Sequence, residues 1–304
     1  MNITINKNNI LSSYSNGNTN VTILNDGTKI REYYLNPNPL FPESIDVKIT
    51  NYCDLNCPYC HENSNKNGSH ANLMFLYNKL NELYEQSNKT QGIELAIGGG
   101  NPLAHPHLYD FLKEIKGLGF IANITVNQKH VDIYYDDLVN LINEKLIYGV
   151  GISITNTFYI SESINKLNDI TDNVVFHLIA GVNDIYDIKI LNLKNKFLIL
   201  GYKTFGRGVN FYDENVENNL NLWRNEIRKY LYKTTISFDN LAIEQLELKK
   251  HFTNEAWKQF YMGDDFKFTM YIDAVKKEYA QTSRSNNRIP MNDYSIIDFF
   301  NMKI

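Results

Sequence analysis

The chain has 304 residues (35.3 kDa), with 43% hydrophobic and 21% charged residues, enough to bury one large core. A net charge of −4 and a pI near 6.0 exclude a global basic field of the kind that binds nucleic acid through its phosphates. No stretch approaches the roughly 20 apolar residues of a membrane span, and the segment Met1-Asn-Ile-Thr-Ile-Asn-Lys7 is no secretory signal, so a cytoplasmic location is expected.

Residues 1–43 read as an N-terminal extension. Val21–Leu24 and Lys29–Tyr34 flank the turn Asn25-Asp26-Gly27-Thr28, where Asp-Gly supplies the positive φ angles of a hairpin. Pro37, Pro39 and Pro42 then punctuate the run into the next element.

From residue 44 short apolar strands alternate with helical segments. Strands are expected at Ile45–Thr50, Ile93–Ile97, Phe120–Val126, Tyr148–Ile154, Val174–Ala180 and Phe197–Leu200. Helical spacing falls between them at Ala71–Tyr84, His107–Lys116, Asp132–Lys145, Phe158–Leu167 and Tyr186–Leu191. Such alternation predicts an α/β fold, a parallel sheet with helices outside it. Right-handed crossovers curl this sheet into a partial (β/α)6 TIM-like barrel over residues 44–212. Residues 213–304 read as a C-terminal α+β extension covering one end of the barrel. Helices are expected there at Asn218–Leu231 and Asn240–Lys250, and a hairpin at Lys267–Ala274 and Glu278–Thr282.

All three cysteines fall within eight positions, Cys53-Asp-Leu-Asn-Cys57-Pro-Tyr-Cys60, just past the first strand. In a reducing compartment such a trio points to a metal or cluster site, not a disulfide framework. Three thiolates in one loop also leave a coordination position open. The ends of the other strands add small or polar groups to the same mouth, where parallel α/β folds place their sites. These are Gly98-Gly99-Gly100-Asn101-Pro102, then Asn127, Ser153, Asn183 with Asp184, and Lys203 with Arg207.

The Cys-x3-Cys-x2-Cys spacing, with aromatic Tyr59 before the last cysteine and a glycine-rich loop after the second strand, resembles the radical S-adenosylmethionine (radical SAM) superfamily over roughly residues 44–210. The resemblance implies a [4Fe-4S] cluster on Cys53, Cys57 and Cys60, with S-adenosylmethionine on the iron that lacks a protein ligand. It implies reductive cleavage to a 5′-deoxyadenosyl radical, which abstracts hydrogen from a substrate. By motif position Gly99, Gly100 and Asn101 are expected beside the methionine amine, with Asn101 standing where the family usually has Glu. The backbone around Tyr59 is expected near the adenine, with Ser153, Asn127 and Asn183 contacting the rest of the cofactor. An electron donor such as flavodoxin or ferredoxin is implied.

The substrate is expected to be a peptide or protein residue first, and a nucleoside or nucleotide second. Lys203 and Arg207, in a glycine-bearing cationic loop, are candidates for the substrate side. With no fourth cysteine, no cysteine-bound auxiliary cluster is expected, which weighs against the peptide-maturing subclass with cysteine-rich tails. The rival from another class is a zinc-stabilised binding protein, with His61 or a distant histidine as fourth ligand. Its usual paired Cys and His halves are absent. The glycine loop is no P-loop either, since no Lys-Ser/Thr follows it.

Overall fold

The structure, a computed structural model, describes residues 6–302. The N-terminal extension is a three-stranded antiparallel sheet of β1 (Ile10–Asn16), β2 (Thr19–Leu24) and β3 (Lys29–Tyr33). The expected hairpin is β2–β3, turning through Gly27 at φ +83°. β1 is an addition that the sequence reading lacked.

The six expected strands are β4 (Ser44–Thr50), β5 (Glu94–Gly99), β6 (Ile121–Asn127), β7 (Gly149–Ser153), β8 (Val174–Ile179) and β9 (Lys196–Leu200), each paired in parallel with the next. Two more strands come from the C-terminal third. β10 (Thr235–Phe238) pairs in parallel with β9, and β11 (Thr269–Asp273) pairs in parallel with β4. The parallel run is therefore eight strands long and not six, in the order β10-β9-β8-β7-β6-β5-β4-β11. The C-terminal region extends both edges of the sheet, where a cover over one end was expected. β11 also forms the expected hairpin with β12 (Glu278–Ala280), and the two-residue β13 (Ile289–Pro290) pairs with β12.

Helices follow the strands in sequence: α1 (Leu73–Gln86), α2 (Leu108–Gly117), α3 (Gln128–Ile133), α4 (Tyr135–Asn143), α5 (Glu162–Ile170), α6 (Asp187–Ile190), α7 (Gly208–Phe211), α8 (Glu214–Glu226), α9 (Asn240–Gln245), α10 (Asn254–Phe260) and α11 (Ile296–Phe300). Two long helices expected from periodicity are interrupted. The 132–145 segment breaks at Tyr134 between α3 and α4, and 240–250 breaks at Glu247, which is left-handed at φ +51°.

Strand alternation sorts the core from the lumen. Ile45, Val47 and Ile49 of β4, Leu95 and Ile97 of β5, Ile124 and Val126 of β6, and Phe176 and Leu178 of β8 are buried in the main apolar core. The intervening residues, among them Asp46, Lys48, Ala96, Gly98, Thr125, Ser153 and His177, line an interior cavity.

The N-terminal sheet meets the residues that start the strands. Lys29 pairs with Glu94 at 2.5 Å, Lys196 Nζ donates to the Asp26 carbonyl at 2.7 Å, and Gly27 abuts Asn173. Contacts of this sheet thus fall at the amino ends of the strands, opposite to the cysteines.

Candidate active site

The cysteine loop leaves β4 and is pinned by backbone hydrogen bonds before any side chain acts. Asn51 N–H donates to Ser69 O (2.9 Å) and Cys53 N–H to Asn65 O (3.0 Å). Within the loop Cys60 N–H donates to Cys57 O at 3.2 Å, and Asn56 takes the left-handed conformation at φ +50°, which Asn tolerates. Cys53, Cys57 and Cys60 are free thiols, and all three line a cavity of about 300 Å³. Burial pushes the Cys53 and Cys57 thiols up, and the neighbouring thiols push in the same direction. A bound cation would offset that cost for Cys53 and Cys57. Bound iron supplies one, so the donor set suits a thiolate-ligated iron–sulfur cluster.

The glycine loop after β5 braces this arrangement. Gly100 N–H donates to Thr50 O (2.8 Å) and Asn101 N–H to Tyr52 O (2.7 Å). A Cβ on Gly100 would lie 2.1 Å from Tyr52 O, and one on Gly99 would lie 2.4 Å from Thr50 O, whereas one on Gly98 would meet nothing within 4 Å. Gly99 and Gly100 are therefore glycine for close approach to the cysteine loop. Gly98 leaves open space on the cavity side, where backbone can approach a ligand.

The other expected residues divide. Asn127 and Ser153 are register partners at adjacent strand ends, Ser153 is in register with His177, and all three line the cavity. Asn127 also caps α3 by accepting from Lys129 N–H. Tyr59 lines the cavity with its ring edge-on to Phe211 at 5.5 Å.

Asn101 is 1% exposed and turns its Oδ1 to Leu103 N–H, outside the cavity wall. Asn183 is likewise absent from that wall. Its Oδ1 accepts from Ile179 N–H (2.8 Å) and its Nδ2 donates to Ile154 O (3.1 Å). Asn183 thus satisfies backbone groups, whereas the buried Nδ2 of Asn101 has no partner among the described residues.

Lys203 reaches the cavity, donating to Ser283 Oγ at 2.9 Å with His61 Nε2 3.4 Å away. Arg207 does not. Its guanidinium donates to Cys57 O (2.8 Å), Ser64 O (2.8 Å) and Asn63 Oδ1 (3.1 Å), while its own N–H donates to Cys60 O. It is a clamp on the cysteine loop, in place of the substrate-side cation expected.

Several lumen residues were missed. Lys48 pairs with Glu62 (2.6 Å) and Asp273 (3.0 Å), and Tyr271 donates to Glu62 (3.2 Å). Burial disfavours the Glu62 carboxylate, but His61 and Lys48 outweigh it and hold Glu62 well below the usual range. Buried His130 bonds Asp54 at 2.8 Å and leaves Nδ1 without a partner among the described residues. Burial drives His177 down to about 4, and the surrounding protein pushes Asp46, although open to the cavity, up to about 6. The available signal was the alternation itself: Asp46, Lys48 and His177 hold the polar positions of strands whose apolar positions are buried in the core.

The fold and the site together define an α/β protein with a large parallel sheet and three free thiols on a cavity at the carboxyl end of its strands. Residues 47–189, a little under half of the chain, match the family model of the Radical SAM superfamily, which supports an enzyme of that class. No curated protein matches it. Among solved structures it is similar to Streptococcus suis SuiB bound to S-adenosylmethionine, at TM-score 0.60 and 12% identity, covering 87% of this chain and 67% of that one. It is also similar to SuiB bound to the precursor peptide SuiA, at TM-score 0.58 and 12% identity, where it covers 87% of this chain but 66% of that chain. A third structure, of SuiB alone, gives TM-score 0.57 at 12% identity over 99% of this chain and 89% of that chain. At this identity the likeness is one of fold. No helix among the described residues is long and apolar enough to cross a membrane.

Proposed function

We propose that Cys53, Cys57 and Cys60 hold a [4Fe-4S] cluster and that the chain uses S-adenosylmethionine to modify a residue of a peptide or protein. The observation that carries this reading is the convergence of three free thiols on one cavity, bordered by the open face of Gly98 and by Asn127 and Ser153. When bound, the cluster and S-adenosylmethionine supply one-electron reductive cleavage of the sulfonium, giving methionine and a 5′-deoxyadenosyl radical that takes hydrogen from the substrate.

The chain's own residues position and enclose. Arg207 and the Gly100 brace fix the loop that carries the ligands. Asn127 and Ser153 offer polar contacts to the nucleoside side of the cofactor. The cavity walls would hold the cofactor and substrate beside the three thiols. The peptide reading is supported by the SuiB structure solved with a precursor peptide, whose fold this chain resembles. A flavodoxin or ferredoxin is the reductant of this reading.

The test is anaerobic reconstitution with iron and sulfide, reduction with dithionite, and addition of S-adenosylmethionine. Release of 5′-deoxyadenosine that requires both the reductant and the cluster is expected. Intact S-adenosylmethionine after reduction of a fully loaded cluster would overturn the reading.

A further inference from the structure

Asp46 projects from the middle of β4 into the lumen, in register with Ala96 of β5 and Tyr271 of β11. The neighbouring carboxylates are occupied. Glu62 and Asp273 hold Lys48, Asp265 holds Arg284 at 2.5 Å, and Asp239 accepts from Gly201 N–H and Ala242 N–H. Asp46 alone of this group accepts no hydrogen bond and makes no ion pair among the described residues, and its carboxylate is exposed to the open space of the cavity.

A second cavity, of about 250 Å³, opens beside it between the end of β10 and the β11–β12 hairpin. Side chains bridge the gap: Asn240 Nδ2 donates to Asp265 at 2.8 Å and to the Gly263 carbonyl at 3.3 Å, and Arg284 reaches both Asp265 and Glu244. The cavity shares Asp46, Lys203 and Ser283 with the cysteine cavity, so the two spaces meet at Asp46. Its cations are largely neutralised, Arg31 by Glu43 and Arg284 by Asp265. What remains is Lys203 against Asp46, Asp239 and Asp264, an excess of negative charge.

We propose that this seam between β10 and β11 takes a protonated amine or guanidinium of the substrate, docked on Asp46, and presents the adjoining C–H bonds to the cysteine cavity. This rests on the peptide reading above and narrows it to a residue bearing a cationic side chain. Desolvation with no bonded partner raises the Asp46 carboxyl, Lys203 opposing and Asp239 and Asp265 adding to the rise. A bound cation relieves the same cost. The open volume and the shared lining make the seam a passage into the lumen, where a filled core would have closed the barrel.

The test is binding to the anaerobically reconstituted enzyme, followed by saturation-transfer NMR. The probes are acetyl-Gly-Lys-Gly-amide, its norleucine and glutamate counterparts, n-butylammonium and n-butanol. The lysine peptide and n-butylammonium should bind the wild type at least about tenfold more tightly than their neutral or anionic counterparts. Asp46→Asn should bring the lysine peptide to the norleucine level. Equal binding of lysine and norleucine probes by the wild type overturns the proposal, and so does retention of the lysine preference in Asp46→Asn. Should that variant fail to load its cluster, the wild-type comparison decides alone. Should n-butylammonium bind in an Asp46-dependent way while no peptide binds, the cation site stands and the peptide reading falls.

Discussion

Arg207 Nε donates to the carbonyl of Cys57 at 2.8 Å, joining the loop after β9 to the ligand loop after β4 across 150 positions of chain. With its bonds to Ser64 O and Asn63 Oδ1 it fixes three points of one loop. A planar fork can do this, but a lysine ammonium cannot reach three divergent acceptors.

Arg207→Lys should therefore fold but hold its cluster poorly. Each hydrogen bond from a charged donor contributes about 1.5–3 kcal/mol. Iron retained after desalting should fall to well below half that of the wild type, with Arg207→Ala lower still. Full retention in both variants would show that the loop is set by its backbone bonds alone.

The three glycines at the end of β5, Gly98 to Gly100, should respond differently. A methyl on Gly100 meets Tyr52 O at 2.1 Å, so Gly100→Ala must displace the cysteine loop, at a cost of about 1–3 kcal/mol or more. It should lower both the melting temperature and iron content. Gly98→Ala meets nothing within 4 Å and should melt like the wild type, while weakening S-adenosylmethionine binding by filling the cavity. Equilibrium dialysis with the labelled cofactor reads the second effect.

Two lumen groups give opposite pH signatures. His177 is held neutral by burial, its pKa lowered from 6.5 to about 4, so the stability it contributes is present above pH 6.5 and lost as pH falls toward 4. Asp46 is raised from 3.8 to about 6, so it costs stability above pH 6, by an amount that its exposure to the open cavity reduces, and that cost is relieved as pH falls toward 3.8. Between pH 6.5 and 4 the melting temperature of His177→Gln should fall less steeply than that of the wild type. Asp46→Asn should be most stabilised relative to the wild type above pH 6, with the gain shrinking toward pH 4. Differential scanning fluorimetry across that range checks both signs.

Asn183→Ala should act on stability and not on the cofactor. It leaves Ile179 N–H and Ile154 O without their side-chain partner, at about 1–3 kcal/mol for each unsatisfied group. The denaturation midpoint should drop while S-adenosylmethionine affinity at low temperature stays within about twofold. A large loss of affinity in a variant of unchanged stability would place Asn183 at the cofactor instead.

These cases show where sequence reading succeeds. Cysteine spacing and the six central strands are local patterns, so the ligand loop and β4 to β9 were legible. β10 and the parallel docking of β11 on β4 were not, because a strand as short as Thr235–Phe238 carries little pattern and parallel pairing is decided by distant partners. Asn183 looks like a ligand contact at a strand end, but backbone groups claim both ends of its amide. The role of Arg207 depends on carbonyls 143 to 150 residues away, which no motif encodes. Asp46 was visible as a polar position in an alternating strand. Its significance appears only once every neighbouring carboxylate is seen to be paired.

The central claim is that Cys53, Cys57 and Cys60 together hold one cluster with an open iron. Metal and sulfide analysis of anaerobically reconstituted protein, joined to electron paramagnetic resonance of the reduced form with and without S-adenosylmethionine, tests it most directly. The account predicts roughly four iron and four sulfide per chain, a spectrum changed by S-adenosylmethionine, and loss of the signal in Cys57→Ala. Stoichiometric zinc with no sulfide, or a reduced spectrum that S-adenosylmethionine leaves unchanged, would contradict it.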